Sequence, residues 1–349
     1  MKRRTFLGAT AATTAVTALS LFTGVQTLAA EQKQPGKPRR LRAGDEVRLV
    51  APAGALFQKV RLEIAFENMI GLGLNPTAGT HALDRHGYFA GTDEDRAADI
   101  MAAFADPNVK AIFALSGGWG AARLLPLLDF DVIRASPKVI IGYSDITALL
   151  CGIHARTGMT TFHGPNGTSR WRPAVVAAAK QILFEGKSPT IKNPVPDYDT
   201  LAQHSLRVQT INPGAAEGTL VGGNLTVLTA LAGSPYMPDL KGKILFLEDV
   251  GEAIYRVDRM LSTLQLSGAL EAVNGIIFGG FTDVGNDGDG YGAFALMDIF
   301  EHYGKLANVP TFYGAPFGHI ASNGIMPIGT RARINAAKGT INLLEASVI

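Results

Sequence analysis

The chain has 349 residues, of which 47% are hydrophobic and 18% charged, a balance that suits a well-packed globular protein and excludes a disordered one. The formal charge of +2 falls to about −1 once the leader residues Lys2, Arg3 and Arg4 are set aside, so there is no electrostatic case for binding nucleic acid or an anionic membrane surface. The 40 glycines follow no period, which excludes a collagen-like or low-complexity chain and marks them as turns and close backbone approaches.

In chain order, the basic head Lys2-Arg3-Arg4 precedes an apolar stretch from Phe6 to about Val25 that closes on small residues at Leu28-Ala29-Ala30. This is the layout of an export signal over residues 1–30. The string Arg3-Arg4-Thr5-Phe6-Leu7 resembles a twin-arginine signal, which carries proteins already folded. An ordinary secretory signal or an uncleaved anchor has the same outline, and a periplasmic or otherwise exported location is the expectation. Residues 31–40 are polar and proline-bearing and read as a linker. No later apolar run reaches the roughly 18 residues that a membrane span needs.

The first strand is expected at Val47–Ala51, closed by Pro52 and Gly54, with a helix from about Gln58 to Gly71. Thr92 is a good helix cap, and Asp93, Glu94 and Asp95 suit the positive end of a helix running to about Ala105. A strand at Ala111–Leu115 runs into Gly117-Gly118-Trp119-Gly120, with a helix from Ala121. Another strand at Val139–Ile141 enters Gly142-Tyr143-Ser144-Asp145 and a helix that carries Cys151. A lone cysteine forms no internal disulfide, and its apolar neighbours make it a buried structural thiol. Continuous apolar strands alternating with helices predict a parallel sheet covered on both faces, a three-layer α/β domain over 41–168. Ligands bind such sheets beyond the carboxyl ends of the strands, where both glycine-bearing turns lie. Residues 169–215 are turn-rich and read as a connection. Over 216–349, strands near Gly218–Val221, Ile244–Leu247, Gly275–Phe278 and Ala332–Asn335 predict an α+β domain with mixed or antiparallel strands. Helices are expected there near Leu225–Leu231 and Ile254–Ser267.

Two roles fit Ser144. A serine at a sharp turn from strand to helix can be held out as a nucleophile beside helix-start amides, and it can equally cap the helix. Glu248 follows an apolar strand and is placed to orient a histidine, although Asp249 and Glu252 stand close by and solvation alone would explain all of them. His319, between glycine-bearing turns, is a candidate base, in competition with His81, His86, His154, His163, His204 and His302. His163, in Phe162-His163-Gly164-Pro165, competes most strongly because it also follows a strand. No zinc motif occurs. The acidic run Asp283–Gly290 fails the spacing of a calcium loop, with Gly285 or Tyr291 falling where a ligand belongs. No phosphate loop or dinucleotide fingerprint is present either.

Seven short strings taken together resemble one family. They are Ala90-Gly91-Thr92-Asp93 with Arg96, Gly117-Gly118-Trp119-Gly120 followed by Arg123-Leu124-Leu125, Gly142-Tyr143-Ser144-Asp145-Ile146-Thr147, Phe162-His163-Gly164-Pro165, Gly222-Gly223-Asn224-Leu225, Leu247-Glu248-Asp249 and Gly318-His319. In this order they resemble the LD-carboxypeptidases, serine peptidases that share their family with the microcin C immunity proteins. The resemblance covers roughly residues 41–349. It implies a triad of Ser144, Glu248 and His319, and an oxyanion hole built from the backbone amides of Asp145 and Gly118. Ser116, Trp119 and Asn224 are implied to contact substrate. Many relatives carry arginine before the double glycine and tyrosine after it, where this chain has Ser116 and Trp119, so substrate preference is open at those positions.

The activity implied is release of terminal D-alanine from murein tetrapeptide through an acyl-enzyme, with no cofactor or metal. An amidase acting on a peptide or peptide-nucleotide antibiotic is the alternative within the family, and a non-catalytic wall-peptide-binding protein is the alternative outside it. The expected partner is a short peptide; no nucleic acid and no membrane span in the mature chain are expected, and a homodimer is open.

Overall fold

The computed structural model describes residues 36–193, 201–204, 206–285 and 293–349. The expected export signal, most of the expected linker, and Asn286 to Gly290 of the acidic run lie outside the described residues. Among the described residues, no helix is long and apolar enough to cross a membrane.

The strands are β1 (Glu46–Val50), β2 (Asn75–Ala78), β3 (Val109–Ala114), β4 (Val139–Gly142), β5 (Thr161–His163), β6 (Thr190–Lys192), β7 (Gln209–Asn212), β8 (Ala215–Asn224), β9 (Ile244–Val250), β10 (Gly275–Thr282), β11 (Thr311–Gly318), β12 (Met326–Ile328), β13 (Arg331–Asn335) and β14 (Thr340–Leu343). They form two sheets, ordered β12-β5-β4-β3-β1-β2 and β6-β14-β13-β8-β9-β10-β11-β7. In the first sheet β1 to β5 are parallel and β12 is antiparallel. In the second, β8 to β11 are parallel, with antiparallel strands on both flanks. This is the mixed α/β architecture expected. The apolar runs of β3 and β4 are almost wholly buried because helices cover both faces of the sheet.

Three features differ from the sequence reading. The stretch 169–215 carries a helix, Pro173–Ala179, and the short strands β6 and β7, which pair at opposite edges of the second sheet. These strands have three and four residues and are half-exposed, so no hydrophobic alternation marks them. The segment from Ala121 winds as a 3₁₀ turn to Leu127 rather than an α-helix, with Pro126 inside it. Finally, β12 returns late in the chain to pair with β5 of the first sheet.

The sheets meet where the helix Thr147–Thr157 packs on β8. Gly222 and Gly223 have φ of +150° and +142°, and a Cβ on Gly223 would lie 2.6 Å from Thr147 Oγ1. That hydroxyl, on a fully buried threonine, accepts the Asn224 N–H at 3.0 Å. One turn further along the helix, the buried Cys151 thiol donates to the Gly222 carbonyl at 3.4 Å, and burial pushes its pKa up to about 12. It is the inert thiol expected.

Gly223→Ala therefore meets both a forbidden φ and an occupied space. Its unfolding free energy in a urea titration is expected to fall by about 3 kcal/mol or more. Gly242→Ala, also at positive φ (+70°) but facing open space, should cost only about 1 kcal/mol; equal losses would show that the interface is not tightly packed at Gly223.

Candidate active site

A cleft of about 850 Å³ opens at the carboxyl ends of the first sheet, lined by Ser144, Gly117, Gly118, Ser116, Trp119, Tyr143, Arg61, His319 and their neighbours. Ser144 follows β4 and opens the 3₁₀ turn Ser144–Ile146 that leads into the helix Thr147–Thr157. Its φ is +65°, in the left-handed region that a non-glycine residue enters at a cost of roughly 1–2 kcal/mol. The surroundings hold it there. A Cβ on Gly117 would lie 2.7 Å from Ser144 Cβ, so only glycine lets the turn after β3 approach. Next to the serine, Asn166 Oδ1 accepts the Tyr143 N–H at 3.2 Å.

The turns around the serine are tied together by two buried charged side chains. Asp145, 6% exposed, accepts the Ala121 N–H on Oδ2 at 2.7 Å, which binds the start of the serine's helix to the glycine turn. Burial raises its pKa, and the backbone donors oppose the rise. Arg96, 1% exposed, donates to the carbonyls of Pro52 (2.6 Å) and Gly120 (3.2 Å), pairs with Asp93, and lies over the Phe89 ring. The Ala90–Arg96 string thus braces the turns after β1 and β3. Gly118, at φ +126°, packs so closely on Gly54 that a Cβ would lie 3.0 Å from its backbone. The first amides of a helix lack intrahelical acceptors, so the Asp145 N–H at this turn is free of helical demand.

Glu248 stands at the carboxyl end of β9, fully buried. Its Oε2 lies 2.7 Å from His319 Nδ1 and accepts the His319 backbone N–H at 3.2 Å. A carboxylate only accepts, so Nδ1 carries the proton and Nε2 is left as the basic nitrogen. His319 follows β11, which is separated from β9 by β10. Glycines let the histidine reach across: a Cβ on Gly318 would lie 2.7 Å from Glu248 Cβ, and one on Gly279 would lie 2.5 Å from the Phe317 ring. The His319 and Tyr143 rings are 4.8 Å apart. The cleft therefore brings Ser144 and the Glu248–His319 pair to one place, together with Gly118, Ser116 and Trp119.

Asn224 is not there. It is 4% exposed, its amide donates to Asp249 Oδ1 at 3.0 Å, and its carbonyl oxygen accepts the Val227 N–H as a helix cap. Both ends of the side chain are tied into the fold. His163, the strongest competitor among the histidines, ends β5 with no exposure and packs edge-on to Phe246, Phe317 and Tyr143. Neither ring nitrogen has a hydrogen-bond partner among the described residues, and burial lowers its pKa to about 4, so it is a neutral core residue away from solvent. His81, Asp84 and Asp95 hold ligand atoms within 4.8 Å of one another. Those atoms already serve protein contacts, His81 Nδ1 to Asp84 at 2.7 Å and Asp95 in the Thr92 capping box. The sequence reading missed the bracing roles of the Asp145 and Arg96 side chains, and also Arg61, Tyr143 and Asn166 in the cleft wall. For Arg96 the buried position within an acidic helix start was the available signal.

The two sheets and this convergence of serine, histidine and buried carboxylate define a hydrolase of the serine class. Sequence profiles for the LD-carboxypeptidase N-terminal and C-terminal domains match residues 47–164 and 217–334. The chain is 36% identical to the probable murein peptide carboxypeptidase of Bacillus subtilis (strain 168) over 320 residues, 89% of this chain and 95% of that one. It is also 36% identical to the murein tetrapeptide carboxypeptidase of Pseudomonas aeruginosa over 292 residues, 82% of this chain and 92% of that one. Among solved structures, the microcin C7 self immunity protein MccF superposes with a TM-score of 0.80 at 27% identity, covering 90% of this chain and 100% of that one. The chain belongs to the LD-carboxypeptidase family, and it is a serine-type carboxypeptidase.

His163 gives a pH test of the core. Its folded pKa, about 4, lies below the unfolded value near 6.5, so the folded state binds fewer protons between them and stability falls as pH drops through that window. The loss is on the order of 3 kcal/mol. Asp249, raised to about 6 by burial, acts in the opposite sense. His163→Phe removes only the histidine contribution. Denaturant midpoints at pH 7 and pH 4.5 should show the variant losing less stability on acidification than the wild type; parallel losses would mean His163 does not stay neutral.

Proposed function

We propose that this chain is an exported enzyme that removes terminal D-alanine from murein tetrapeptide by hydrolysing an L,D-peptide bond. The observation that carries the reading is the strained Ser144 sharing a cleft with the Glu248–His319 pair. Relatives named for murein peptides support the substrate class.

In this mechanism Ser144 Oγ attacks the carbonyl carbon of the scissile bond while His319 Nε2 takes its proton. Glu248 holds the ring in the tautomer that leaves Nε2 basic, and favours the imidazolium once it forms. The Asp145 and Gly118 N–H groups receive the oxyanion. Collapse breaks the C–N bond as the imidazolium protonates the leaving amine of D-alanine. Water, deprotonated by His319, then attacks the acyl-enzyme and releases tripeptide and free Ser144. The twin-arginine-like leader supports delivery to the periplasm, where wall peptide is the accessible substrate. A second reading, action on a peptide-nucleotide antibiotic, is favoured by the exposed aromatic side chains of Phe57, Tyr88 and Trp119 on the cleft, which offer flat faces to a base.

D-alanine release from purified tetrapeptide by the mature protein tests the first reading. Ser144→Ala should reduce kcat by about 10⁴-fold or more, and Glu248→Gln by about 10²- to 10⁴-fold. No release by the wild type, with turnover of an aminoacyl-sulfamoyl nucleoside instead, would transfer the assignment to the second.

A further inference from the structure

We propose that Arg61 receives the terminal carboxylate of the substrate, an inference that rests on the carboxypeptidase reading above. An enzyme that removes one residue from a chain end must distinguish that end from an interior peptide, and the group that distinguishes it is the free carboxylate. Among the described residues that line the cleft, Arg61 is the one lysine or arginine, and no aspartate or glutamate is present. A negative group entering the cleft therefore meets one positive charge on its lining, and the nearest carboxylate, Glu248, lies behind the lining, held against His319.

Arg61 lies in the first turn of the helix Lys59–Gly71, exposed to the cleft. Its Nη2 donates to Thr168 Oγ1 at 3.2 Å, and the Thr168 hydroxyl in turn donates to the Leu115 carbonyl at 2.7 Å. The guanidinium is thus oriented by a fixed hydroxyl, yet it forms no ion pair among the described residues. Five N–H donors in a planar fork leave it free to bind a carboxylate with two parallel bonds. Arg61 shares the cleft lining with Tyr143 and with Ser144, the next residue in sequence. Position 116, beside the double glycine, carries serine and supplies no charge. Arg85 is held behind Phe57 by a bond to its carbonyl at 2.8 Å, outside the lining.

The test compares murein tetrapeptide with its carboxy-terminal amide, reading release of D-alanine or D-alaninamide by the wild type, Arg61→Gln and Arg61→Lys. The wild type should favour the free acid by about tenfold or more in kcat/KM. Arg61→Gln should lose about that factor on the acid, chiefly in KM, and stay within about twofold on the amide. Arg61→Lys should fall between, keeping charge without the fork. A tetrapeptide with its interior carboxylates amidated and its terminus free should keep the preference. Binding of the acid and the amide to Ser144→Ala, followed by calorimetry, repeats the comparison without turnover. A wild type that treats acid and amide alike, a variant that loses both equally, or a preference that follows the interior carboxylates would overturn the assignment while leaving the reaction intact. A wild type that neither binds nor cleaves either peptide would end the wall-peptide reading and the carboxylate role together.

Discussion

Where Gly223 passes beneath the helix Thr147–Thr157, the second sheet comes so close to the helix that no side chain fits between them. A Cβ on Gly223 would lie 2.6 Å from Thr147 Oγ1, while within the sheet one on Gly222 would fall 1.8 Å from the carbonyl oxygen of Phe246 on the neighbouring strand. The helix that starts at Ser144 belongs to the first sheet, and Glu248 pairs in register with Asn224, the residue after those glycines. The same contact thus fixes the height of the serine and of the carboxylate. A gap of one methyl group would separate residues that the proposed reaction needs within hydrogen-bond reach, and precision of that order matters to rate.

The contact alone does not aim the serine. Ser144 keeps a positive φ because the surrounding structure leaves it no relaxed alternative. Gly117 presses on its side chain, Asp145 anchors the following turn to Ala121, and Arg96 joins the Pro52 and Gly120 carbonyls behind both turns. Asp145 and Arg96 are buried polar groups whose partners are largely backbone, the condition under which such a group stiffens a site rather than weakening it. Strain at one residue is thereby distributed over three turns, and the backbone amides near the serine are set before substrate arrives.

How much of this could be read beforehand follows from the range of each interaction. The strands β1, β3, β4, β9 and β10 were legible because their apolar runs are long and bounded by glycine. So were the helix starts at Thr92 and Ser144, since caps and turns depend on neighbours in sequence. Ser144, Glu248 and His319 entered through resemblance; spacing alone left Ser144 as a cap and His163 as a rival base. His163 lost that rivalry through its environment, an apolar pocket of Phe246 and Phe317 that come from the other sheet. Asn224 was legible only as a motif residue, because its two bonds, to Asp249 and Val227, join it to another strand and to the start of the next helix. Arg61 carried no local signal, since an arginine on an amphipathic helix is ordinarily just solvated.

The Glu248–His319 pair shows why the acidic member belongs in the core. Glu248 is fully buried, and no lysine or arginine among the described residues pairs with it. Burying a carboxylate without compensation costs several kcal/mol, and here the compensation comes from one residue, through both the ring and the backbone N–H of His319. Its other oxygen, Oε1, has no hydrogen-bond partner among the described residues. In so poorly screened a setting, positive charge that develops on the ring during reaction is met by the carboxylate more strongly than it would be in water. That interaction is what the proposed attack by Ser144 requires, because the serine proton must pass to the ring as the oxyanion forms. A surface carboxylate could hold the same tautomer, but solvent would screen most of the charge stabilisation; burial supplies both, and the glycine at 318 is what lets the histidine come near enough to use them.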